Sequence, residues 1–232
     1  KWIKLIHDDD WFANPDSLQI FANHATTGKK FIFSAYANHF EDGITPVQKK
    51  FLPGSWRKKI LDEPMTLLAY NVIGPPSVIL VERSITELYD VQFKWRVDME
   101  YYVRLLETLK EYTYIHKVLV NVGVSESQVT QSCIYEPSVE LPEGRLLLEK
   151  HGERRLRNIW VYDAWWRLLR NMNIVSVEQL QQFTKGEWPA AIRQMVVDLS
   201  NVPRKLLHSG PFSKSFMFVS YLKNKSLISR NK

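Results

Sequence analysis

The chain opens on an apolar run, Trp2-Ile3-Lys4-Leu5-Ile6, that breaks at once into His7-Asp8-Asp9-Asp10-Trp11. Short apolar runs bounded by polar clusters are strand signals, so residues 1–7 are expected to form a strand with an acidic end. A helix is expected over 15–25, through Ser17-Leu18-Gln19-Ile20-Phe21, and a strand over 30–36, through Phe31-Ile32-Phe33. Asp42-Gly43 and Pro53-Gly54 then mark turns in a polar excursion over the functional face. The rigid turn Asn71-Val72-Ile73-Gly74-Pro75-Pro76-Ser77 feeds a buried strand over 77–83, through Val78-Ile79-Leu80-Val81. From about 98 to 111, Tyr101, Tyr102, Leu105, Leu106 and Leu109 recur at helical spacing, which makes one face core and puts Asp98 and Glu100 at the helix front. Strand-like sequence returns over 114–124. Residues 136–144, with two prolines and a glycine, read as a linker. Beyond it Tyr162, Trp165, Trp166, Leu169 and Met172, and then Ile192, Met195, Val196 and Leu199, keep helical spacing. The pattern therefore predicts an α/β domain over 1–135, a linker, and a helical extension over 145–232, with no internal repeat.

Composition changes this picture in three places. At 232 residues and 45% hydrophobic content, the chain can bury one sizeable core plus an appended subdomain. Its single cysteine, Cys133, rules out an intrachain disulfide and a cysteine-cluster zinc site, and favours a reducing compartment. No apolar stretch reaches the roughly 18 residues that span a bilayer, and the start lacks the charged-then-apolar pattern of a signal peptide. A cytoplasmic protein, peripheral at the inner membrane face, is the expectation.

Charge is placed unevenly. Residues 150–232 hold 15 Lys and Arg against 5 Asp and Glu, so residues 1–149 carry −4 of a total of +6. After Asp198 there is no acidic residue, while Arg204, Lys205, Lys214, Lys223, Lys225, Arg230 and Lys232 are interspersed with patches such as Phe216-Met217-Phe218-Val219. That mixture suits a segment drawn to an anionic membrane surface, and equally a solvated helix followed by a frayed tail. Nucleic acid is not the expected partner, because the chain has no zinc-finger spacing, RNP-type strand or Gly-x-x-Gly clamp. Phosphate-binding Gly-x-Gly-x-x-Gly and Gly-Lys-Ser loops are also missing, which disfavours dinucleotide or kinase-like chemistry.

The chemistry concentrates at the acidic strand end. Packing like charges this closely costs of order 1 kcal/mol per close pair near a surface unless a cation or donor offsets it. Mg²⁺ takes one or two carboxylates together with phosphate oxygens, so the triplet suits a metal-diphosphate site. The plain structural alternative is an acidic turn in which Asp10 or Asn14 caps the following helix. Trp11, Trp56 and Trp95 could offer indole faces to a sugar ring or serve as half-buried packing residues. Trp165 and Trp166 are expected in the core, and His24, His39, His116, His151 and His208 show no metal-type spacing.

Four pieces taken in order, the acidic triplet with its Trp, the Ile-Gly-Pro-Pro-Ser turn, the Trp-x-Val-Asp-x-Glu helix start and Gln128-Val129-Thr130, resemble the family 2 type of inverting glycosyltransferases with the GT-A fold. The resemblance covers roughly residues 1 to 131. It implies a partial, Rossmann-like GT-A domain with a mixed sheet, in which Asp9, helped by Asp8 and Asp10, binds Mg²⁺ or Mn²⁺. It sets His7, Ser125 and Gln128 beside the diphosphate of a nucleotide-sugar donor, most commonly a UDP-sugar. A saccharide or lipid-linked acceptor would lie by Gly74, Pro75, Pro76, Ser77, Trp95 and Glu100, and Asp98 would take its proton. Two departures stand out: His7 occupies the place of the first Asp of the usual Asp-x-Asp-Asp, and Ser125 that of a His. The nucleoside-binding part that precedes the motif in such enzymes is expected to be missing, which points to an incomplete gene product or a trimmed chain. The rival reading is a non-catalytic remnant that binds a membrane surface or a partner enzyme as a scaffold.

Overall fold

The computed structural model describes residues 1–125, 128 and 132–228, so Val129 and Thr130, and Arg230 and Lys232 of the basic tail, lie outside the described residues. The chain divides into two compact units. One comprises Lys1–Leu67, Asn71–Gln92 and Arg96–Gln131, and the other Leu68–Tyr70, Phe93–Trp95 and Ser132–Lys232. The fold is α/β, with a mixed sheet in the first unit and helices throughout the second.

The first unit is built on six strands: β1 (Trp2–Lys4), β2 (Asp10–Phe12), β3 (Phe31–Phe40), β4 (Gln48–Lys50), β5 (Ile79–Glu82) and β6 (Thr113–Val124). Their order is β1-β5-β3-β6-β2, with β4 also beside β3. β3 and β6 run parallel, and the other pairings are antiparallel. A central strand covered on both faces reads as an unbroken apolar run, which is why Phe31, Ile32, Phe33, Ser34 and Ala35 are all buried. Helices α1 (Ser17–His24), α2 (Gly54–Asp62) and α3 (Val97–Leu109) complete the unit. The periodic face of α3 is core, as its spacing predicts: Tyr102, Val103, Leu105 and Leu106 have no exposure, and Tyr102 stacks on Phe31 at 6.0 Å between ring centroids.

The opening strand is shorter than the 1–7 run suggests, for a topological reason. β1 pairs with β5 on one edge of the sheet, from Trp2↔Glu82 to Lys4↔Leu80, whereas β2 pairs with β6 on the other edge, from Asp10↔Val122 to Phe12↔Val120. Residues 5–9 must join the two edges. Four strand spacings of about 4.8 Å amount to about 19 Å, near the full reach of five residues. A turn at Asp8-Asp9 shortens that reach, so the sheet curls into a half-barrel. The acidic triplet thus lies on the crossing, and Asp10 opens β2.

Neither Asp10 nor Asn14 caps α1, whose N-cap is Asp16 with no side-chain cap bond; the Asn14 N–H instead donates to Ser17 Oγ at 3.1 Å. Asp42-Gly43 is a turn, with Asp42 Oδ1 accepting the N–H groups of Ile44 and Thr45. Pro53-Gly54 is not a turn: Pro53 is the N-cap of α2 and Gly54 its first residue. That helix buries only Ile60, so it carries too little apolar periodicity to be read from the pattern.

The second unit holds α4 (Pro137–His151), α5 (Ile159–Asn171), α6 (Val177–Phe183), α7 (Ala190–Ser200), the single turn α8 (Arg204–Leu207) and α9 (Gly210–Asn224). The stretch 136–144, expected as a linker, is the front of α4, and its breakers have helical uses. Pro137 takes the first turn, where its missing N–H costs nothing, and the Glu136 carboxylate accepts the Ser138 N–H at 3.1 Å. Pro142 removes one bond inside the helix. Gly144 lets α4 close on α5: a Cβ there would stand 2.9 Å from Trp165 Cη2. Tyr162, Trp165, Trp166, Ile192, Met195, Val196 and Leu199 are buried as their spacing predicts. A buried polar network ties α5, α7 and α9 together. Ser220 Oγ lies 2.7 Å from the Tyr162 hydroxyl and donates to Asp198 Oδ2 at 2.5 Å, and Asn224 Nδ2 donates to the same oxygen at 2.8 Å. Residues 210–224 therefore form a helix packed along one side. Among the described residues no helix is long and apolar enough to cross a membrane.

Candidate active site

The edge-to-edge crossing brings His7, Asp9 and Asp10 together, with one potential ligand atom from each lying within 4.8 Å of the others. Two neighbouring segments hold them. Ser77, fully buried at the entry to β5, accepts the His7 N–H at 2.9 Å. On β6 the Gly123 N–H reaches both Asp9 O and Asp10 Oδ1, each at 3.2 Å. Gly123 is required to be bare: a Cβ would stand 2.4 Å from Asp9 O. The Gln128 amide donates to Asp9 Oδ2 at 2.6 Å and to Gly123 O at 2.7 Å, which fixes the Asp9 carboxylate against β6.

Asp10 is the informative member of the group. Its side chain is 2% exposed, and Oδ2 has no hydrogen-bond partner among the described residues; His7 Nδ1 lies 3.9 Å from it. Burial pushes its pKa up, opposed by the Ser77 hydroxyl beside it, while the Asp9 charge adds to the rise. A buried carboxylate oxygen left unpaired is costly, and a cation held between His7, Asp9 and Asp10 would relieve that cost. The donor set, two carboxylates and an imidazole, accommodates a divalent ion. Asp8 is exposed and stands outside the group.

Lys4 lies under the crossing. Its ammonium donates to Leu5 O at 2.9 Å and to Ser77 O, and it sits 5.0 Å from the Phe21 ring centroid. Burial lowers its pKa to about 8, with the Asp10 charge acting in the opposite direction.

The second cluster surrounds Asp98 in the first turn of α3. Asp98 Oδ1 accepts the Met99 N–H at 2.7 Å, and Oδ2 accepts from Asn71 Nδ2 at 3.2 Å. Burial of the carboxyl nevertheless outweighs these bonds and pushes its pKa up to about 6. Glu100 is fully buried and clamped by Arg104, with bonds of 2.7 and 2.9 Å. The hydroxyls of Tyr89 and Tyr102 are buried near Asp98 without hydrogen-bond partners among the described residues.

The turn 71–77 links the two clusters. Asn71 Oδ1 accepts the N–H groups of Ile73 and Gly74 at 3.3 and 3.2 Å, while its Nδ2 holds Asp98. Gly74, at φ +104°, lies flat on Tyr36: a Cβ would stand 2.5 Å from Tyr36 Cε1. Six residues after Asn71, Ser77 holds His7, so at most about 22 Å of chain separates the two anchor points.

No protein-family model and no curated protein matches this chain. The site is therefore read from its own geometry.

Of the acceptor-side residues expected from the sequence, Gly74, Pro75, Pro76 and Ser77 form this linking turn. Glu100 is committed to Arg104. Trp95 belongs to the second unit, where its N–H donates to Glu143 at 3.0 Å. Ser125 is half-buried just beyond β6. Trp11 alternates with Asp10 along β2 and so faces the opposite side of the sheet, against His39 at 5.0 Å. Trp56 lies under the Lys59 ammonium, 4.3 Å from its ring centroid. Sequence reasoning missed Lys4, Asn71, Tyr36 and Gly123. For Gly123 a signal existed, since an isolated glycine inside a strand pattern marks a close backbone approach.

Proposed function

We propose that the first unit is the metal-binding and acid-base part of an inverting glycosyltransferase of the family 2 type. It would transfer a sugar from a nucleotide-diphosphate-sugar, a UDP-sugar first, to a saccharide or lipid-linked acceptor. The observation that carries this reading is one hydrogen-bonded turn, residues 71–77, joining a His-Asp-Asp group to a carboxyl poised near pH 6.

In this reading His7, Asp9 and Asp10 hold Mg²⁺ or Mn²⁺, which when bound supplies Lewis-acid stabilisation of charge on the departing nucleoside diphosphate. Gln128 holds the Asp9 carboxylate in place, and Ser77 holds the backbone of His7. Asp98 takes the proton of the attacking acceptor hydroxyl as the new bond forms from the face opposite the leaving group. A pKa of about 6 leaves it ionised at neutral pH yet more basic than an ordinary carboxylate. A cytoplasmic setting at a membrane face belongs to the same proposal.

The test is a calorimetric titration of UDP, and separately GDP, with and without Mn²⁺, on the wild type and on Asp9→Asn. Diphosphate binding that requires both the metal and Asp9 is the expected result. Binding by a folded protein that ignores the metal and Asp9 would remove the diphosphate site and favour the scaffold alternative.

A further inference from the structure

Helix α9 has a second surface that the network described above does not use. Its packed side carries Ser213, Met217, Ser220, Tyr221 and Asn224. The opposite side carries Phe212, Phe218, Val219 and Leu222, which are 55, 47, 48 and 56% exposed. At 100° per residue these four fall within about 120° of arc, an apolar stripe about 15 Å long. Lys214 and Lys225 border it on one side and Lys223 on the other. Trp160 of α5, also exposed, extends the apolar surface past Lys214, whose ammonium lies 5.6 Å from the indole centroid.

Two features choose the occupant. No Asp or Glu follows Asp198, whereas seven Lys and Arg do. Protein–protein interfaces are depleted in lysine, but a helix lying in a lipid interface carries lysines at its margins, where long stems reach over apolar surface to the headgroups. The stripe is also the convex side of one helix, without the groove that would enclose a peptide. We propose that α9 docks the protein on an anionic lipid bilayer. Phe212, Phe218, Val219 and Leu222 enter the acyl boundary, Lys214, Lys223 and Lys225 contact lipid phosphates, and Trp160 lies at headgroup depth. This rests on the second unit alone and not on glycosyl transfer.

Sedimentation of the full chain with phosphatidylcholine vesicles, and with vesicles containing 30% phosphatidylglycerol, tests it. The wild type should pellet with the anionic vesicles and at least about tenfold less with the neutral ones, and 0.5 M NaCl should release most of it. Phe218→Ser with Leu222→Ser should lower partitioning at least about tenfold. Lys223→Gln and Lys225→Gln should each lower it about fivefold. All four positions are exposed, so circular dichroism and the thermal midpoint should stay at wild-type values. Failure of the wild type to pellet overturns the proposal, as does pelleting that none of these substitutions changes. A concentration-dependent dimer that the serine pair dissolves, with no vesicle binding, would give the stripe to a second copy of the chain and overturn it too.

Discussion

At the scale of single residues, the site is decided by where carboxyls are shut away from water. Asp98 carries two hydrogen bonds that favour its charged form, yet burial wins and its pKa rises to about 6. If it is the base, log kcat/KM of the wild type should climb with unit slope up to about pH 6 and then level, as a transfer assay across pH 4.5–8 would show. Asp98→Asn should lower kcat at least about a hundredfold while leaving metal-dependent UDP binding intact; retained turnover would take Asp98 out of this role. The same shift has a consequence for stability. A raised folded pKa means that the native state binds the proton more tightly than the unfolded chain. Asp98 therefore helps the fold below about pH 4 and progressively loses that contribution, of order 3 kcal/mol at most, as pH rises to about 6. The wild-type thermal midpoint should fall more steeply than that of Asp98→Asn between pH 4 and pH 6. The sequence marks Asp98 as an acid in a first helical turn, where the helix dipole by itself would lower the pKa; the burial that overrides this is a property of the tertiary structure.

At the scale of elements, two bare backbone positions keep the site in register. Gly74 combines a left-handed φ with face-on contact to Tyr36, so Gly74→Ala should destabilise the fold by about 1–3 kcal/mol and shift the turn that positions both Asn71 and Ser77. A lower denaturation midpoint together with reduced kcat would agree; an unchanged midpoint would mean that the turn adapts. Gly123→Ala pushes directly on Asp9 O in the β2–β6 pairing. Metal affinity measured by calorimetry should drop at least about tenfold in that variant, because the ligand carboxylate is carried by the strand that moves. The Gly74 turn was readable from its glycine and two prolines, and α3 from its periodicity. β2 and β4, three residues each, and the weakly apolar α2 were not, since elements so short or so polar exist only through their pairing partners.

At the scale of the whole molecule, the chain separates into a sheet unit and a helical unit, and the separation is not where breakers suggested. Residues 136–144 look like a linker because Pro and Gly are penalised inside helices in general. Here Pro137 is at the first turn and Gly144 allows close approach to Trp165, so both serve a helix. The carboxy-terminal basic segment is likewise structural on one side: α9 completes the Tyr162-Ser220-Asp198-Asn224 network. Asn224→Ala should cost about 1–3 kcal/mol by removing the hydrogen bonds that buried Asn224 donates to Asp198 and the Tyr162 hydroxyl, measurable in urea denaturation. The sequence by itself determined the α/β class, the buried faces of α3, α5 and α7, the charge imbalance and the residue types of the acidic motif, because periodicity and composition are local quantities. Only the tertiary structure decided which acids meet. His7, Asp9 and Asp10 come together while Asp8 does not, and one turn ties them to Asp98, because strand order and sheet curl are set by pairings between residues far apart in the chain.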